Sequence, residues 1–242
     1  MEFKILNLNC WLLPPPFSIE NTRRLSGVIQ LINNIKPEIF TLQEVWLSTY
    51  TSHLIKSLPK YFIKTSDSLV YNKTGLVIGS SLPVKSVSSR RFKTNLNINL
   101  IELVAQKGFI RLDLLSGISV INIHSYAPLF SKEKRITIGQ FNLLKQETND
   151  TSTSFILTGD FNLTTAELEG HNEGWFKLDP NTLPTLSSKN RYTKTHFNRF
   201  GRKDEKVDHI LVRSSRQVSI QTTLLDDSVL SDHYATLSVL RL

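Results

Sequence analysis

The sequence predicts an α/β protein in which layered β-sheets carry helices on their outer faces. Many short segments alternate apolar and polar residues, as half-buried strands do, whereas helical spacing of apolar residues occurs in only a few insertions. With 242 residues, 40% of them apolar, the chain can bury a sizeable core. No internal repeat, low-complexity tract or linker interrupts it, so we expect one domain over residues 1–242. Many strands with few helices favour packed sheets with helices outside.

The first half of the chain alternates strands and helices. The segment FKILNLN predicts a first strand, and the proline-rich loop LLPPPF follows it. A helix is expected over NTRRLSGVIQLINNI, with Asn21 as its N-cap and Pro37 just beyond its end. A second strand, EIFTLQEV, and a second helix, LSTYTSHLIKSL, come next. Strand patterns then continue to His124 in the segments SLVYN, TGLVIGS, PVKSVSSRRF, INLIELVAQ, GFIRLDLL and GISVINIHS.

The second half is expected to open with a helix between Lys132 and Thr148. The uncharged run FILTG then predicts a buried strand that ends at Asp160. A carboxylate at that position is costly to bury unless it has a partner. Three further segments have strand patterns, namely KVDHILV, QVSIQTTLL and HYATLSVLRL.

The composition limits the classes of partner and site. A formal net charge of +8 favours anionic partners such as nucleic acid, phosphorylated compounds or an acidic membrane surface. The basic residues form small groups, RR, RRFK, KEKR and RFGRKDEK, and a solvated basic surface explains them equally well. The single cysteine, Cys10, excludes an intrachain disulfide and a cysteine-based zinc site, and it fits a reducing compartment.

The sequence leaves the location of the protein open. No run approaches the roughly 20 apolar residues of a membrane-spanning helix, and the first residues do not resemble a signal peptide. A cytoplasmic location and secretion by a signal-independent or already processed route both fit. We infer no obligate protein partner.

Polar side chains of the types that catalytic sites use stand at the ends of several apolar strands. Each alone also fits a turn former, a cap or a buried histidine, but their repetition indicates one shared site. Successive side chains on a strand point to opposite faces, so Asp208 and His209 cannot both face that site. By the same rule Asp160 and Asn162 share a face if their strand continues. The candidates are Asn9, Glu44, His124, Asp160, Asn162, Asp208, Asp232 and His233.

Carboxylates with amide oxygens, and no cysteine, form a hard oxygen site that suits Mg²⁺ or Mn²⁺. A histidine beside an acid can hydrogen-bond a phosphoryl oxygen or transfer a proton to it. Such a set suits the hydrolysis of a phosphodiester, in which the cation neutralises charge on the phosphate and a carboxylate positions the water.

In this order the segments LNLNCW, TLQEVW, VINIHSYAP, LTGDFN, KVDHILV and LSDHYA resemble the signature of the endonuclease/exonuclease/phosphatase superfamily. The similarity spans Phe3 to Leu240. It implies a four-layer α/β sandwich with two central, mostly antiparallel sheets flanked by helices. It also implies a Mg²⁺-dependent phosphodiesterase with its site at one end of the sheets.

The resemblance assigns a role to each candidate. Glu44 resembles the principal metal ligand, with Asn9 beside it and Asp232 near the metal. Asp160 resembles the residue that orients or deprotonates the attacking water. Asn162 resembles the amide that holds the phosphate or that water.

The histidines also have counterparts in the superfamily. His233 resembles the histidine on the scissile phosphate. His124 resembles a second histidine of the deoxyribonuclease and sphingomyelinase branches, to which proton transfer is assigned. Asp208 resembles the acid that orients a catalytic histidine, and we expect its partner to be His124. His209 is then expected to be structural.

The substrate is not determined by the superfamily. LNLNCW followed by LQEVW, and KGFIRLDLL, are similar to neutral sphingomyelinases, which favours phospholipid headgroup release. Trp11 stands where abasic-site endonucleases have an acid, which disfavours that branch. A nuclease acting on DNA or RNA is the alternative, because the basic groups can contact backbone phosphates. A catalytically idle binding scaffold is a third hypothesis.

The loop WLLPPPF follows a strand that carries a candidate residue. Trp11 and Phe17 are therefore candidates for contact with substrate or with a membrane surface. Packing of these aromatic side chains over the edge of the first sheet is the alternative.

Overall fold

The structure is a computed structural model that describes residues 2–67, 70–93, 105–128, 134–194 and 204–242. Within those ranges it has twelve strands and four helices. The strands are β1 (Glu2–Leu12), β2 (Ile39–Val45), β3 (Phe62–Asp67), β4 (Asn72–Ser80), β5 (Val84–Arg91), β6 (Gly108–Leu114), β7 (Ile118–His124), β8 (Ser154–Asp160), β9 (Lys177–Leu178), β10 (Asp208–Arg213), β11 (Ser219–Leu225) and β12 (Ala235–Arg241). The helices are α1 (Asn21–Ile35), α2 (Ser48–Ser57), α3 (Lys134–Glu147) and α4 (Thr165–Asn172).

The strands form two six-stranded sheets. The first has the order β11-β12-β1-β2-β4-β3, and the second has the order β5-β6-β7-β8-β10-β9. Only β1 with β2 and β7 with β8 pair in parallel among the described strand pairs, and the remaining pairs are antiparallel. The predicted α/β sandwich with mostly antiparallel sheets is confirmed.

Apolar clusters hold the layers together. One lies between the sheets and includes Ile5, Ile39 and Ile156. A second joins α1 and α2 to the outer face of the first sheet, and a third joins α3 and α4 to the outer face of the second. Burial of apolar surface on both faces of each sheet therefore stabilises the four layers.

The inner faces of the sheets change from apolar to polar toward one end. In β8 the inward side chains run from Ile156 through Thr158 to Asp160, while Phe155 and Leu157 pack outward. The same two-residue period gives Ile5, Asn7 and Asn9 in β1 and Val120, Asn122 and His124 in β7. Amides from the two sheets meet in the middle of this gradient, where Gln43 Nε2 donates to Asn122 Oδ1 at 2.7 Å and to Asn7 Oδ1 at 2.9 Å. The strands thus deliver their last polar side chains to one end of the sandwich.

Most predicted elements are present, with differences at the ends. The N-cap of α1 is Glu20, and Asn21 is the first helical residue, whose side chain donates to Leu13 O at 2.8 Å. The helix ends before Pro37, as predicted. The predicted strand INLIELVAQ lies almost wholly outside the described residues, as does most of the basic group RFGRKDEK. Across the described ranges, no helix has both the length and the apolar character needed to cross a bilayer.

Candidate active site

The site lies where the polar ends of the strands meet. In the second sheet His124, Asp160 and Asp208 are register partners on the adjacent strands β7, β8 and β10, so they form one row. From the first sheet, β1 brings Asn9 and β2 brings Glu44 to the same place. Residues that are far apart in sequence therefore meet because the strands run side by side.

Asn9 links the two sheets through its amide group. Its Nδ2 donates to Asp160 Oδ2 at 2.9 Å and to Glu44 Oε1 at 3.3 Å, while its Oδ1 accepts from the backbone N–H of Trp11 at 3.1 Å. Asn9 thus presents a nitrogen, not an oxygen, to the carboxylates. In this arrangement it is a donor that holds two acids together, and ligation of a metal through its oxygen stays a prediction.

Two of the carboxylates ionise with difficulty. Burial raises the pKa of Glu44 to about 7; the ammonium of Lys107 opposes this rise, and the charge of Asp232 adds to it. Burial, with the nearby charge of Asp208, likewise raises the pKa of Asp160 to about 6. Both carboxylates therefore gain from a cation placed among them.

Glu44 reaches the site because of an unusual backbone conformation. Its neighbour Gln43 points between the sheets, so a regular strand would turn Glu44 to the outer face. Glu44 instead has φ 57°, in the left-handed region, and Trp11 with φ 48° and Asn162 with φ 50° share that conformation. Left-handed non-glycine residues cost free energy and cluster at functional sites. No strand pattern in the sequence predicts this turn.

Asp208 pairs with His233. The distance from His233 Nδ1 to Asp208 Oδ2 is 2.7 Å, so the expected pairing of Asp208 with His124 is wrong. Burial disfavours the charged imidazole, but Asp208 outweighs it and raises the pKa of His233 to about 10. His233 is consequently an imidazolium at neutral pH, and its Nδ1–H donates to the carboxylate.

His124 contacts a lysine that the strand-end pattern does not predict. Lys107 is buried, and its Nζ lies 2.5 Å from His124 Nε2. The same Nε2 is 3.6 Å from Asp160 Oδ2 and 3.7 Å from Glu44 Oε1. Burial and the Lys107 ammonium hold the pKa of His124 well below its usual range, so the imidazole is neutral. The only sequence signal for Lys107 is its place directly before the strand GFIRLDL, at the level of His124 on the next strand.

Asn162 and Asp160 form a local turn after β8. The strand ends at Asp160, whose Oδ1 accepts from the backbone N–H of Asn162 at 2.9 Å, so the two side chains do not share a strand face. The Asn162 amide donates to Ser125 O at 3.1 Å instead. His209 points away from the site, as predicted, and its Nε2 lies 2.9 Å from Leu163 O.

Asp232 stands beside His233. Its Oδ1 accepts from the Ser231 hydroxyl at 3.0 Å, and its charge acts on both Glu44 and His233. It is therefore close enough to add to the negative potential of the site.

The two aromatic residues predicted to contact substrate or a membrane have opposite environments. Trp11 is buried, with its ring 6.0 Å from that of Tyr192 and 5.0 Å from the Arg24 guanidinium. The prediction that Trp11 contacts a membrane is wrong, because its side chain packs inside the protein. Phe17 is 70% exposed and remains available for contact with a substrate or a surface.

The donor set fits a divalent cation. Four carboxylates stand against one ammonium and one imidazolium, which leaves an excess of negative charge; these groups are Glu44, Asp160, Asp208, Asp232, Lys107 and His233. Oxygen ligands of this kind suit Mg²⁺ or Mn²⁺. Asp160, Asp208 and His233 also place ligand-type atoms within 4.8 Å of one another. His233 Nδ1 is already engaged by Asp208 at 2.7 Å, however, so the carboxylate of Glu44 is the better anchor for the cation.

Comparison with solved structures finds the same fold. SmcL matches with a TM-score of 0.82 at 16% identity, covering 98% of this chain and 98% of that one. Sphingomyelinase C from Streptomyces griseocarneus gives 0.81 at 15% identity, with 99% of each chain covered. D. rerio TDP2, solved with a single-strand DNA product, gives 0.78 at 16% identity and covers 100% of this chain and 99% of that one.

A comparison with curated proteins by sequence finds no significant match. The model of the Endonuclease/Exonuclease/phosphatase family matches residues 6–233, a span that contains every candidate residue of the site. The chain therefore belongs to the Endonuclease/Exonuclease/phosphatase family and is a metal-dependent phosphodiesterase.

Proposed function

We propose that the protein releases the phosphorylated headgroup of a choline-phosphate lipid such as sphingomyelin, with Mg²⁺ as its cation and Mn²⁺ as a substitute. The observation that carries this proposal is a set of exposed apolar side chains at the site end of the first sheet. We call this set the apolar rim. Its members are Phe17, Ile19, Val70 and Tyr71.

The apolar rim belongs to loops that leave the sheet beside the site. Phe17 and Ile19 lie in the loop between the end of β1, the strand of Asn9, and the start of α1. Val70 and Tyr71 precede β4, which pairs with the strand of Glu44. Their exposed fractions are 70%, 56%, 63% and 51%.

The first turn of α2 contacts both the loop of Val70 and the first residue of α1, which follows the loop of Phe17 and Ile19. Ser48 N donates to Val70 O at 3.1 Å, and Asn21 Nδ2 donates to Tyr50 Oη at 3.1 Å. Exposed apolar groups beside a phosphodiesterase site suit a substrate that lies in a lipid interface.

The acids and Asn9 would prepare the attacking water. When bound beside Glu44, the cation supplies positive charge to the phosphate oxygens. Asp160, with its pKa near 6, is mostly ionised at neutral pH and can accept a proton from a water held between it and Asn162. Asn9 keeps the Asp160 carboxylate in place through its 2.9 Å hydrogen bond.

The histidines would act on the phosphate. His233 is protonated and anchored through Nδ1 by Asp208, so its Nε2–H is available to donate to a phosphoryl oxygen. Lys107 adds a second positive charge among the carboxylates. The Nε2 of His124 already accepts a hydrogen bond from Lys107, so this nitrogen is not free to take a proton from substrate. A proton-transfer role for His124 therefore stays a prediction.

A nuclease is the second candidate, and an exposed arginine at the site end of the second sheet favours it. Arg91 is exposed and pairs with Gly108, which in turn pairs with His124. A guanidinium at that position can contact the phosphate that neighbours the scissile one.

Turnover on two substrates separates the candidates. Protein with Mg²⁺ is incubated with sphingomyelin vesicles and with supercoiled plasmid, and the Asp160→Ala variant serves as blank. We expect release of phosphocholine without nicking of the plasmid. Nicking without phosphocholine release would replace the lipid proposal with the nuclease.

The apolar rim has its own test. Phe17→Ser and Val70→Ser are expected to lower turnover on vesicles while leaving turnover on a soluble phosphodiester unchanged. Leu115→Ser is the matched control, since Leu115 is 67% exposed and lies in the β6–β7 turn at the opposite end of the sheet. Equal losses in all three variants would show that the rim has no specific part in lipid hydrolysis.

A further inference from the structure

Arg24 of α1 is a buried arginine that contacts the end of β1. Only 1% of its surface is exposed, and its donors go mostly to backbone carbonyl oxygens. Buried guanidinium N–H groups are costly unless each finds an acceptor, so these contacts fix the side chain firmly. The acceptors are Ile19 O at 2.8 Å, Cys10 O at 2.5 Å, Trp11 O at 2.7 Å, Asn21 Oδ1 at 2.7 Å and Leu230 O at 3.4 Å.

One of these contacts reaches the peptide unit that orients Asn9. The carbonyl of Cys10 and the N–H of Trp11 belong to the same planar peptide, so they move together and point in opposite directions. Arg24 Nη1 holds the carbonyl end of this unit, and the N–H end donates to Asn9 Oδ1 at 3.1 Å. Arg24 Nη2 holds the next carbonyl, that of Trp11. Trp11 is the residue with φ 48°, so the guanidinium secures a strained bend of the backbone.

The orientation of the Asn9 amide matters for the site. Because Oδ1 is engaged by Trp11, Nδ2 faces Asp160 and Glu44. A reversed amide would place its oxygen against two carboxylates and would leave the Trp11 N–H without its acceptor. We propose that Arg24 is a positioning residue, which orients the Asn9 side chain through the Cys10–Trp11 peptide and thereby holds the two acids in place.

The Asn9 side chain can be observed directly in the metal-free protein. Its ¹⁵N–¹H₂ resonance pair is assigned by its loss in Asn9→Ala. In Arg24→Lys, which keeps the charge but has fewer donors in a different geometry, we expect that pair to shift or broaden. Leu240→Ala is the matched control, because Leu240 is buried in the core but pairs with Phe3 at the opposite end of β1. A folded Arg24→Lys protein with an unchanged Asn9 pair would overturn the proposal.

A double-mutant cycle tests the consequence for turnover, and this arm rests on the proposed function. We expect Arg24→Lys to lower kcat about tenfold or more, since small displacements of catalytic groups have large effects. The loss should largely disappear in the Asn9→Ala background, because the two residues act in series. An undiminished loss in that background would overturn the proposal.

The two arms fail in different ways. If the wild-type protein hydrolyses neither vesicle nor soluble phosphodiester, the proposed function fails while the Asn9 resonances still decide the role of Arg24. If Arg24→Lys does not fold, the role of Arg24 is still tested in the wild-type protein by measuring the order parameter of the Asn9 side-chain amide. A value near that of rigid backbone, about 0.85, supports the proposal, and a value below about 0.6 overturns it.

Discussion

Replacing Glu44 with glutamine should stabilise the metal-free protein at alkaline pH. Glu44 is half-buried among other acids, and its loss of solvation there raises its pKa from 4.5 to about 7. A group whose pKa is raised in the folded state binds its proton more tightly there than in the unfolded chain. The stability that the folded protein gains from this tighter proton binding by Glu44 is therefore complete below about pH 4.5. It is lost as the pH rises through about 7.

The size of the effect follows from the two pKa values. Each unit of difference between folded and unfolded states corresponds to about 1.4 kcal/mol. Because the pKa of Glu44 differs between 4.5 and about 7, the free energy of unfolding of the wild type is about 3 kcal/mol lower at pH 8 than at pH 4. The introduced glutamine carries no charge at either pH, and its side-chain oxygen can still accept from Asn9. We expect Glu44→Gln to be more stable than wild type by about 2 to 3 kcal/mol at pH 8.

Urea unfolding of both proteins in chelator at pH 5 and pH 8 measures this difference. Glu169→Gln is the matched control, because it removes the same charge from an exposed position and should leave stability unchanged. Added Mg²⁺ should stabilise the wild type more than Glu44→Gln, since binding to the folded state shifts unfolding by mass action. A Glu44→Gln protein that is less stable than wild type at pH 8 would refute this reasoning.

Three other substitutions test two residues of the site and one residue that lies outside it. Asp208→Asn removes the charge that holds the pKa of His233 near 10, so the alkaline fall in kcat/KM should move to lower pH; an unmoved profile would contradict the imidazolium assignment. Lys107→Met removes a cation that lowers the pKa values of Glu44 and Asp160. We expect kcat to fall at least tenfold and the acidic limb of the pH–rate profile to move to higher pH. A wild-type pH–rate profile would exclude this electrostatic role of Lys107. His209→Gln changes a side chain that contacts Leu163 O. We expect kcat to stay within about twofold of the wild-type value while the melting temperature falls. A large loss of kcat at unchanged stability would place His209 in the site.

The sequence predicted the layers, and it predicted that several polar strand ends meet at one place, because both depend on local patterns. The two-residue period of a strand carries Asp160 and His124 to the same end as the apolar residues before them, and that pattern is visible in FILTGD and VINIH. The opposite orientation of Asp208 and His209 follows from the same period, and the structure confirms it.

The remaining features depend on contacts between distant segments. Whether Asp208 pairs with His124 or His233 is decided by the loop that carries His233, which no periodicity describes. The left-handed conformation of Glu44 and the burial of Trp11 against Arg24 arise from tertiary packing. From the sequence alone, Lys107 resembles an ordinary surface lysine. Its position beside His124 follows only from the pairing of β6 with β7.

Hydrolysis of a soluble phosphodiester, bis(p-nitrophenyl) phosphate, tests the central claim most directly. The wild type, Asp160→Ala and His233→Ala are compared with Mg²⁺, after chelation, and after Mg²⁺ or Mn²⁺ is restored. We expect turnover by the wild type only when the cation is present, and losses of about 10²–10⁴ in both folded variants. Turnover that survives chelation, or near wild-type activity in either variant, would contradict the account.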